Sequence, residues 1–458
     1  MPTFEPTLES LKQYTVPEWY QDAKFGIYTH WGPYAVPAAF NEWYPGTMYS
    51  RDEPVFDHHR KTWGDHAEFG YKDFIPMFTA ERWDPEHWAD LFRRAGAQYA
   101  GPVAEHHDGF VMYDSVHSEY TCTKMGPKRD ITGEQKKAFE AAGLKFVVTS
   151  HRAHNARHFP ALEGSDRMDH AYDGLYWKPW TDKDAPVDDE FLRDWLDRTK
   201  ELADKYQPDV LWFDFGWHRE EFSLYRLELV SHYYNRAQEW GKEVVVNYKD
   251  HFLDGTAVFN IERGRLPGIR EEYWQTDTSV STKSWGFIEN EHFKSATRLV
   301  HDLIDIVSKN GNMLLSFGPR PDGTIPLEVE GLLLAMGEWL DVNGEAIYGT
   351  RYWEKFGEGP TVVESGHFGE TKDKDFTNQD VRFTQKPGAL YAILLGWPGR
   401  STTILSLAAG CGVTPASVEM LGAQGTLEWK QDHEGLHVTL PARKPCDHAY
   451  VLKMAHSV

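Results

Sequence analysis

Short apolar runs recur along the first 320 residues, and most of them end in polar or aromatic side chains. Each run has the length and composition of a β-strand. The eight runs occupy residues 24–31, 97–105, 144–150, 209–214, 243–248, 257–262, 272–279 and 311–317. Segments with the period of an α-helix lie between several of them, at 85–95, 190–206, 224–240 and 291–309. This alternation is typical of α/β proteins and predicts a parallel (β/α)8-like barrel.

The connections 249–256 and 263–271 are too short for a full helix, so the barrel should be irregular on that side. After Thr350 the pattern changes to short strands separated by Gly, Pro, Asn and Asp. These strands are expected at 361–364, 381–384, 389–396, 402–407, 418–421, 427–431, 436–440 and 448–453. We therefore expect the barrel over residues 1–350 and a small antiparallel β-sandwich over residues 351–458.

The composition is that of a globular protein, with 41% hydrophobic and 26% charged residues among 458. A formal net charge of −22 opposes binding to nucleic acid. No apolar run approaches the roughly 20 residues of a membrane span, and no signal peptide is visible at the N-terminus. The scattered Cys122, Cys411 and Cys446 form neither a disulfide framework nor a metal motif. We expect a cytoplasmic protein without a membrane partner, with a trimmed exported precursor as the alternative, and an oligomer is compatible with the sequence.

Polar side chains terminate six of the predicted strands. In a (β/α)8 barrel the active site lies at the carboxyl ends of the strands, so these residues become candidates by position. They are His30 and Trp31, Glu105 to Asp108, Ser150 and His151, Asp214, Asn247 and Lys249, and Glu262. Each of the six clusters brings an ionisable group to the same end of the barrel, which predicts a functional site there.

Two of the candidates are carboxylic acids on different strands. Asp214 lies in LWFDFGW, an aromatic and partly desolvated setting, and Glu262 lies in FNIERG. Two carboxyl groups that flank one bond are what glycoside hydrolysis requires. An alternative for Glu262 is an ion pair with Arg263 or Arg265. Weaker rivals for the acid are Glu220, Glu271, Glu272, Glu289 and Glu291.

Aromatic residues and histidines leave further alternatives open. The 18 Trp, 22 Tyr and 25 Phe can stack on sugar rings, or they can fill a large aromatic core. His151, His154 and His158 have a spacing that would place them on one helix face, and with His106 and His107 they could hold a metal. Against a metal, no His-Glu-x-x-His motif is present, and neutral imidazoles also bind sugar hydroxyls. We expect neither a metal nor another cofactor.

Several stretches resemble one family. They are 23–44 (AKFGIYTHWGPYAVPAAFNEWY), 106–115 (HHDGFVMYDS), 126–134 (GPKRDITGE), 209–217 (DVLWFDFGW), 284–287 (SWGF), 306–326 and 338–353. Together they look like the α-L-fucosidases of glycoside hydrolase family 29, in order over roughly residues 15–355. The C-terminal part resembles the family only in its β-rich character.

The resemblance implies roles for individual residues. Asp214 corresponds to the catalytic nucleophile, and Glu262 is the best match for the general acid/base, a position that varies within the family. Residues that match fucose-binding or pocket-wall positions are His30, Glu42, Trp43, His106 and His107, with Trp285 near the sugar's methyl group. The chain departs from the family at Lys249, where many members carry Arg, and at His151, within the segment where many have Tyr-Tyr-Ser. We expect both to line the substrate site and to affect linkage preference more than the reaction.

The sequence therefore predicts a retaining exo-α-L-fucosidase. It would release terminal α-L-fucosyl residues from oligosaccharides or glycoconjugates through a covalent fucosyl-enzyme. The alternatives are a metal-dependent barrel hydrolase or isomerase that uses the histidines, and a catalytically silent carbohydrate-binding protein.

Overall fold

The eight predicted strands form a closed parallel barrel. The computed structural model describes residues 3–180, 182, 184–372 and 374–455. The barrel strands β1 to β8 are Phe25–Thr29, Tyr99–Glu105, Lys145–Ser150, Val210–Phe213, Val245–Tyr248, Val258–Glu262, Trp274–Ser279 and Gly311–Phe317. They pair in sequence order, and β1 closes the barrel by pairing with β8, so that Ile27 lies beside Ala100 on one side and Leu315 on the other. The predicted α/β barrel is confirmed.

Large side chains fill the barrel. Successive residues of a strand point to opposite faces, so alternate residues enter the interior and the others pack against helices. The interior group includes Tyr28, Tyr99 and Trp212, all buried. Gly26 makes room for one of these rings, because a Cβ there would lie 2.2 Å from the Tyr99 ring. The barrel is therefore a packed core, and a site can form only at its end.

The described residues contain twelve α-helices. Helices α1 to α12 are Leu8–Leu11, Glu18–Ala23, Tyr44–Thr47, Pro54–Thr62, Pro85–Arg94, Ile131–Ala141, Asn155–His158, Asp173–Tyr176, Asp189–Tyr206, Ser223–Trp240, Ala296–Ser308 and Leu327–Asn343. Four of them were predicted, but α11 begins at Ala296 rather than at Glu291, because the Ser295 hydroxyl accepts from the amide of Arg298 and caps the helix. No described helix has the length and apolar character of a membrane span.

The irregular side of the barrel is confirmed. From Lys249 to Tyr273, a fully described stretch, the chain has turns and the strand β6 but no helix. The elsewhere regular alternation of strands and helices is thus interrupted on both sides of β6. Within the barrel, only loops follow β5 and β6.

The C-terminal part contains two antiparallel sheets. Strands β9 to β16 are Arg351–Glu358, Val381–Lys386, Ala389–Leu394, Ser401–Ile404, Ser417–Met420, Trp429–Gln431, Leu436–Thr439 and Tyr450–Ala455. The order is β13-β16-β11-β10-β9 in one sheet and β12-β15-β14 in the other. The two sheets share a buried core that includes Phe383, Leu390 and Val438, as in a β-sandwich. The division of the chain at residue 350 stays a prediction.

Two sequence expectations in this part are wrong. Residues 361–364 are not a strand, because the amide and hydroxyl of Thr361 both bond to the Asp380 carboxylate, at 3.0 and 2.7 Å, and turn the chain. Strand β9 was missed, since it is half exposed and carries charged residues on its open face. It pairs with β10 at the edge of the larger sheet.

A buried ion cluster connects the sandwich to the barrel. Asp305 of α11 bonds to Lys309 at 2.7 Å and to Arg382 of β10 at 2.6 Å. All three side chains are at most 2% exposed. Burial opposes the charge of Asp305, yet the two cations hold the pKa of its carboxyl well below its usual range. The larger sheet of the sandwich is therefore fixed to a barrel helix by fully desolvated charges.

Candidate active site

A pocket of about 300 Å³ lies at the carboxyl ends of the barrel strands. All ten residues named from the sequence as catalytic or substrate-binding line it: His30, Glu42, Trp43, His106, His107, His151, Asp214, Lys249, Glu262 and Trp285. Tyr28, Trp212, Phe215 and Asp277 complete the lining. The sequence thus located the pocket, while the roles given to the ten residues stay predictions.

Asp214 follows β4 and is held by three polar neighbours. Its Oδ1 accepts a hydrogen bond from Lys249 Nζ at 2.6 Å. Its Oδ2 lies 3.1 Å from His107 Nε2 and 4.0 Å from His151 Nε2. Burial alone would raise the pKa, but Lys249 and the two histidines bring the pKa of Asp214 well below its usual range. The carboxylate is therefore charged and oriented at one side of the pocket.

Glu262 ends β6 and shares Lys249 with Asp214. Lys249 Nζ donates to Glu262 Oε2 at 2.7 Å. Because both oxygens contact the same nitrogen, they cannot be more than about 5.3 Å apart, the combined length of the two contacts. Burial would lower the pKa of Lys249, but the surrounding carboxylates raise it above its usual value, so the ammonium stays charged. One cation therefore holds two carboxyl groups from neighbouring elements side by side.

The alternative ion pair for Glu262 is wrong. Arg263 pairs with Glu370 at 3.0 Å, and Arg265 pairs with Asp302 at 3.2 Å. These arginines were expected to pair with Glu262 because they are close to it in the sequence. In the barrel, Lys249 at the end of the adjacent strand β5 is its partner instead. The five rival acids, Glu220, Glu271, Glu272, Glu289 and Glu291, do not line the pocket.

Neutral histidines line another side. Burial lowers the pKa of His30 and His106 well below the usual value, and it lowers the pKa of His151 to about 3. His30 Nδ1 is 2.8 Å from the hydroxyl of Ser316. The Nδ1 atoms of His106 and His151 are buried and bond to no group of the described residues. A neutral imidazole offers one donor and one acceptor, so these rings suit a ligand rich in hydroxyl groups.

Aromatic rings and Glu42 close the pocket. The Trp43 ring lies nearly parallel to that of Phe215, with centroids 6.1 Å apart. Glu42 Oε2 accepts from the amide of Trp285 at 2.8 Å, which fixes the loop that carries this indole. The Trp285 ring in turn lies 5.1 Å from that of His30. Apolar faces on one side and polar atoms on the other are the pattern of a sugar-binding site.

Asp277 of β7 was missed by the sequence reading. Its Oδ2 accepts from Tyr28 and its Oδ1 from Asn260, and it lies 1% exposed beneath Lys249 and Glu262. Burial raises the pKa of Asp277 to about 7. The strand candidates came only from β1 to β6, and the inward alternation of WQTDTS was the signal that could have identified Asp277. A third carboxyl group therefore shares the charge of Lys249.

Some strand-end candidates point away from the pocket. Glu105 pairs with Arg152 and Arg198 at 3.3 and 3.2 Å. Asp108 accepts from the hydroxyl of Tyr71 at 2.5 Å. These contacts satisfy both carboxylates inside the fold. Trp31 and Asn247 do not line the pocket either.

The histidine set proposed for a metal does not form as a group. The structure brings together His30, His106 and His151, whose nearest nitrogens lie within 4.8 Å of one another. His154 and His158 lie on the far side of His107, where their rings pack against Trp43. The helix face that would have aligned them is absent, because a 3-10 turn, Arg152–His154, precedes the single-turn helix α7.

Comparisons with known proteins identify the family of this chain. A family model described as alpha-L-fucosidase matches residues 1–345, and one described as alpha-L-fucosidase C-terminal domain matches residues 373–455. The second match extends the likeness beyond the β-rich character expected of the C-terminal part. The tissue alpha-L-fucosidase of Homo sapiens is 28% identical over 478 residues, which cover 98% of this chain and 91% of the relative.

Solved structures are similar over almost the whole chain. That of Thermotoga maritima alpha-fucosidase in complex with fucose has a TM-score of 0.80 and 32% identity, and covers 99% of this chain and 100% of its own. Alpha-L-fucosidase isoenzyme 1 from Paenibacillus thiaminolyticus has a TM-score of 0.71 and 25% identity, and covers 98% of this chain and 100% of its own. The chain therefore belongs to the alpha-L-fucosidases of glycoside hydrolase family 29 and is a glycoside hydrolase with α-L-fucosidase activity.

Proposed function

We propose that this α-L-fucosidase is a retaining exo-enzyme that removes terminal α-L-fucosyl residues from oligosaccharides or glycoconjugates. The observation that carries the proposal is the shared ammonium of Lys249, which keeps Asp214 and Glu262 oxygens within about 5.3 Å of each other. Retaining glycosidases hold their carboxyl groups about 5–5.5 Å apart, whereas inverting ones need about 6.5–9.5 Å to admit a water.

The reaction would take two steps. Asp214 attacks the anomeric carbon and forms a covalent fucosyl-enzyme while the bond to the glycosidic oxygen breaks. Glu262 gives its proton to that departing oxygen. In the second step Glu262 takes a proton from water, whose oxygen attacks the same carbon and releases Asp214. Two inversions leave the released fucose with the anomeric configuration of the substrate.

The pocket supports a single terminal sugar as substrate. The pocket is small, and the packed barrel core closes its inner end, so it has a single entrance for the end of a glycan. The neutral His30, His106 and His151 would bind the sugar hydroxyls, and Trp285 would cover the apolar face with the methyl group. The fucose bound to the Thermotoga maritima relative is consistent with this assignment.

Anomeric analysis and one variant test the proposal. Proton NMR of early turnover should show α-L-fucose before mutarotation, and β-L-fucose as first product would contradict retention. Asp214→Ala should lower kcat on an aryl α-L-fucoside by more than about 10³-fold, because the nucleophile is gone. Asp90→Ala, which changes an exposed aspartate paired with Arg93, is the matched control and should keep wild-type activity.

Glu262 needs a separate test. Glu262→Ala should slow an aryl fucoside with a good leaving group far less than a fucosyl disaccharide, since the disaccharide oxygen needs a proton to depart. Azide, which needs no general base, should restore turnover of the aryl substrate. Equal losses on both substrates would assign the acid to another residue.

A further inference from the structure

The C-terminal part reaches back to the barrel beside Glu262. The connection between β9 and β10 lies against the segment that follows β6, and residues 346–372 fall between the two regions matched by the family models. The amide of Phe368 donates to the carbonyl of Glu262 at 2.8 Å, and that of Glu370 to the carbonyl of Arg263 at 3.0 Å. The connection therefore follows the backbone of the proposed acid/base.

A buried glutamate fixes this connection in place. Glu370 bonds to Arg263 at 3.0 Å, to Lys294 at 2.9 Å and to the hydroxyl of Thr278 at 2.6 Å. Burial opposes its charge, but the two cations lower the pKa of Glu370 to about 2. The Arg263 guanidinium also lies 4.3 Å above the Trp285 ring. Residues on either side of Phe368 are thus attached both to Glu262 and to the aromatic wall of the pocket.

His367 bonds to the same backbone from its side chain. The amide of Glu262 donates to His367 Nδ1 at 3.0 Å, so Nδ1 carries no proton and the neutral ring has its proton on Nε2. Burial and the charge of Lys249 lower the pKa of His367, which favours this neutral form. The ring is nevertheless exposed, and Nε2 bonds to no other group of the described residues. A hydrogen-bond donor is therefore presented to solvent next to Glu262.

Phe368 adds an aromatic surface at the same place. Phe368 is 51% exposed, although its backbone amide is bonded to the carbonyl of Glu262. Its backbone adopts a left-handed conformation with φ of 58°, which the flanking hydrogen bonds hold. An exposed ring beside an exposed imidazole is a combination that binds the face and hydroxyl of a sugar.

We infer that His367 and Phe368 form one wall of the leaving-group subsite, where they bind the sugar to which the fucose is attached. The inference rests on the proposed function, in which Glu262 protonates the glycosidic oxygen. The leaving sugar is bonded to that oxygen and must lie beside Glu262 on the solvent side, where the two rings are. Phe368 stacks on the apolar face of a pyranose, and His367 donates Nε2–H to one of its hydroxyls. These two residues thereby select fucosides whose leaving group is a sugar ring.

Two substrates separate this role from a structural one. α-L-Fucosyl fluoride has a leaving group of one atom that reaches no subsite, whereas a fucosyl disaccharide fills it. Phe368→Leu keeps an apolar side chain but loses the flat ring, and we expect kcat/KM on the disaccharide to fall about 3- to 10-fold, mainly through KM. The fluoride should be hydrolysed at the wild-type rate. Phe368→Tyr keeps the ring and should restore disaccharide turnover.

The imidazole is tested in the same assay. His367→Asn keeps an acceptor for the amide of Glu262 and removes the outer N–H, so disaccharide turnover should fall while fluoride turnover stays unchanged. Val362→Ala, an 83% exposed position in the same connection, is the control and should change neither. Equal losses on both substrates, or no loss on the disaccharide, would overturn the inference. Failure of the proposed function would instead appear in Asp214→Ala, as fluoride turnover that survives the loss of the nucleophile.

Discussion

The hydroxyl of Tyr28 donates a hydrogen bond to Oδ2 of Asp277 at 3.1 Å, beneath the two carboxyl groups that share Lys249. Three acidic side chains thus surround one ammonium group in a buried site. Because burial raises the pKa of Asp277 to about 7, this carboxyl changes its charge within the range where a glycosidase is assayed. We expect that ionisation to be visible in the kinetics.

Asp277→Asn should remove the pH dependence of kcat/KM that the ionisation of Asp277 adds near pH 7. In the wild type a third negative charge forms beside Lys249 as the pH rises through this range. The amide cannot ionise, so the alkaline limb of the variant should lack this component. Initial rates on an aryl α-L-fucoside between pH 4 and pH 9 measure the two profiles.

Asp108→Asn is the matched control for this prediction. Burial raises the pKa of Asp108 to about 7 as well, but this carboxyl bonds to Tyr71 and does not line the pocket. The alkaline limb of the Asp108→Asn profile should therefore coincide with that of the wild type. If the alkaline limb of Asp277→Asn also coincided with that of the wild type, Asp277 would not act on the reacting groups.

Lys249→Met should lower kcat/KM by about 10²- to 10³-fold, because Asp214 and Glu262 lose their shared cation. Lys249→Arg keeps the charge but spreads it over a planar group, so it should lose less. Steady-state kinetics on one aryl fucoside compare the variants. Lys200→Met, in an exposed pair with Glu228, should behave as wild type, and a similar result for Lys249→Met would remove Lys249 from the mechanism.

Prolonged treatment with a chelator should leave the fucosidase activity unchanged. The catalytic pair works without a metal, and in the cluster of His30, His106 and His151 one nitrogen of His30 is already bonded to Ser316. Activity before and after dialysis against chelator, beside a buffer-only sample, provides the measurement. Activity that disappears and returns only with added Zn²⁺ would favour the metal-dependent hydrolase instead.

Asp305→Asn should destabilise the whole chain by about 3–5 kcal/mol, because Lys309 and Arg382 would remain buried without their counter-charge. The depressed pKa of Asp305 contributes stability that is present above its ordinary value of 3.8 and is lost as the pH falls below it. Wild-type stability should thus decrease toward low pH more steeply than that of the variant. Denaturant unfolding at pH 7 and at pH 3 measures both effects.

Asp90→Asn is the comparison for Asp305→Asn, since its pairs with Arg93 and Arg94 are half exposed and screened by water. Its unfolding midpoint should stay close to that of the wild type. A midpoint for Asp305→Asn equal to that of Asp90→Asn would show that the buried cluster does not fix the sandwich to the barrel.

The barrel and much of the site were predictable because their signals are local. An apolar run that ends in a polar residue marks both a strand and the end of the barrel it reaches, and this identified His30, Asp214 and Glu262 as neighbours. The partner of Glu262 was predicted wrongly for the same reason. Arg263 is adjacent in the chain, whereas Lys249 is adjacent only after β5 and β6 pair.

The remaining features depend on contacts between distant parts of the chain. Asp277 lies two residues before the end of β7, and only barrel closure reveals that its side chain faces Lys249. His367 is 105 positions from Glu262, and no periodicity connects them. The charged outer face of β9 likewise concealed a strand whose other side is covered by the sandwich core.

The missing helices around β6 determine how this enzyme can be rebuilt. They leave a notch in the barrel wall, and the stretch from Ser365 to Glu370 fills it. Replacing the second domain with a foreign one would leave the Glu262 amide and carbonyl in contact with water. A chimera that keeps full turnover must therefore retain this stretch together with the barrel, because it serves as part of the barrel wall.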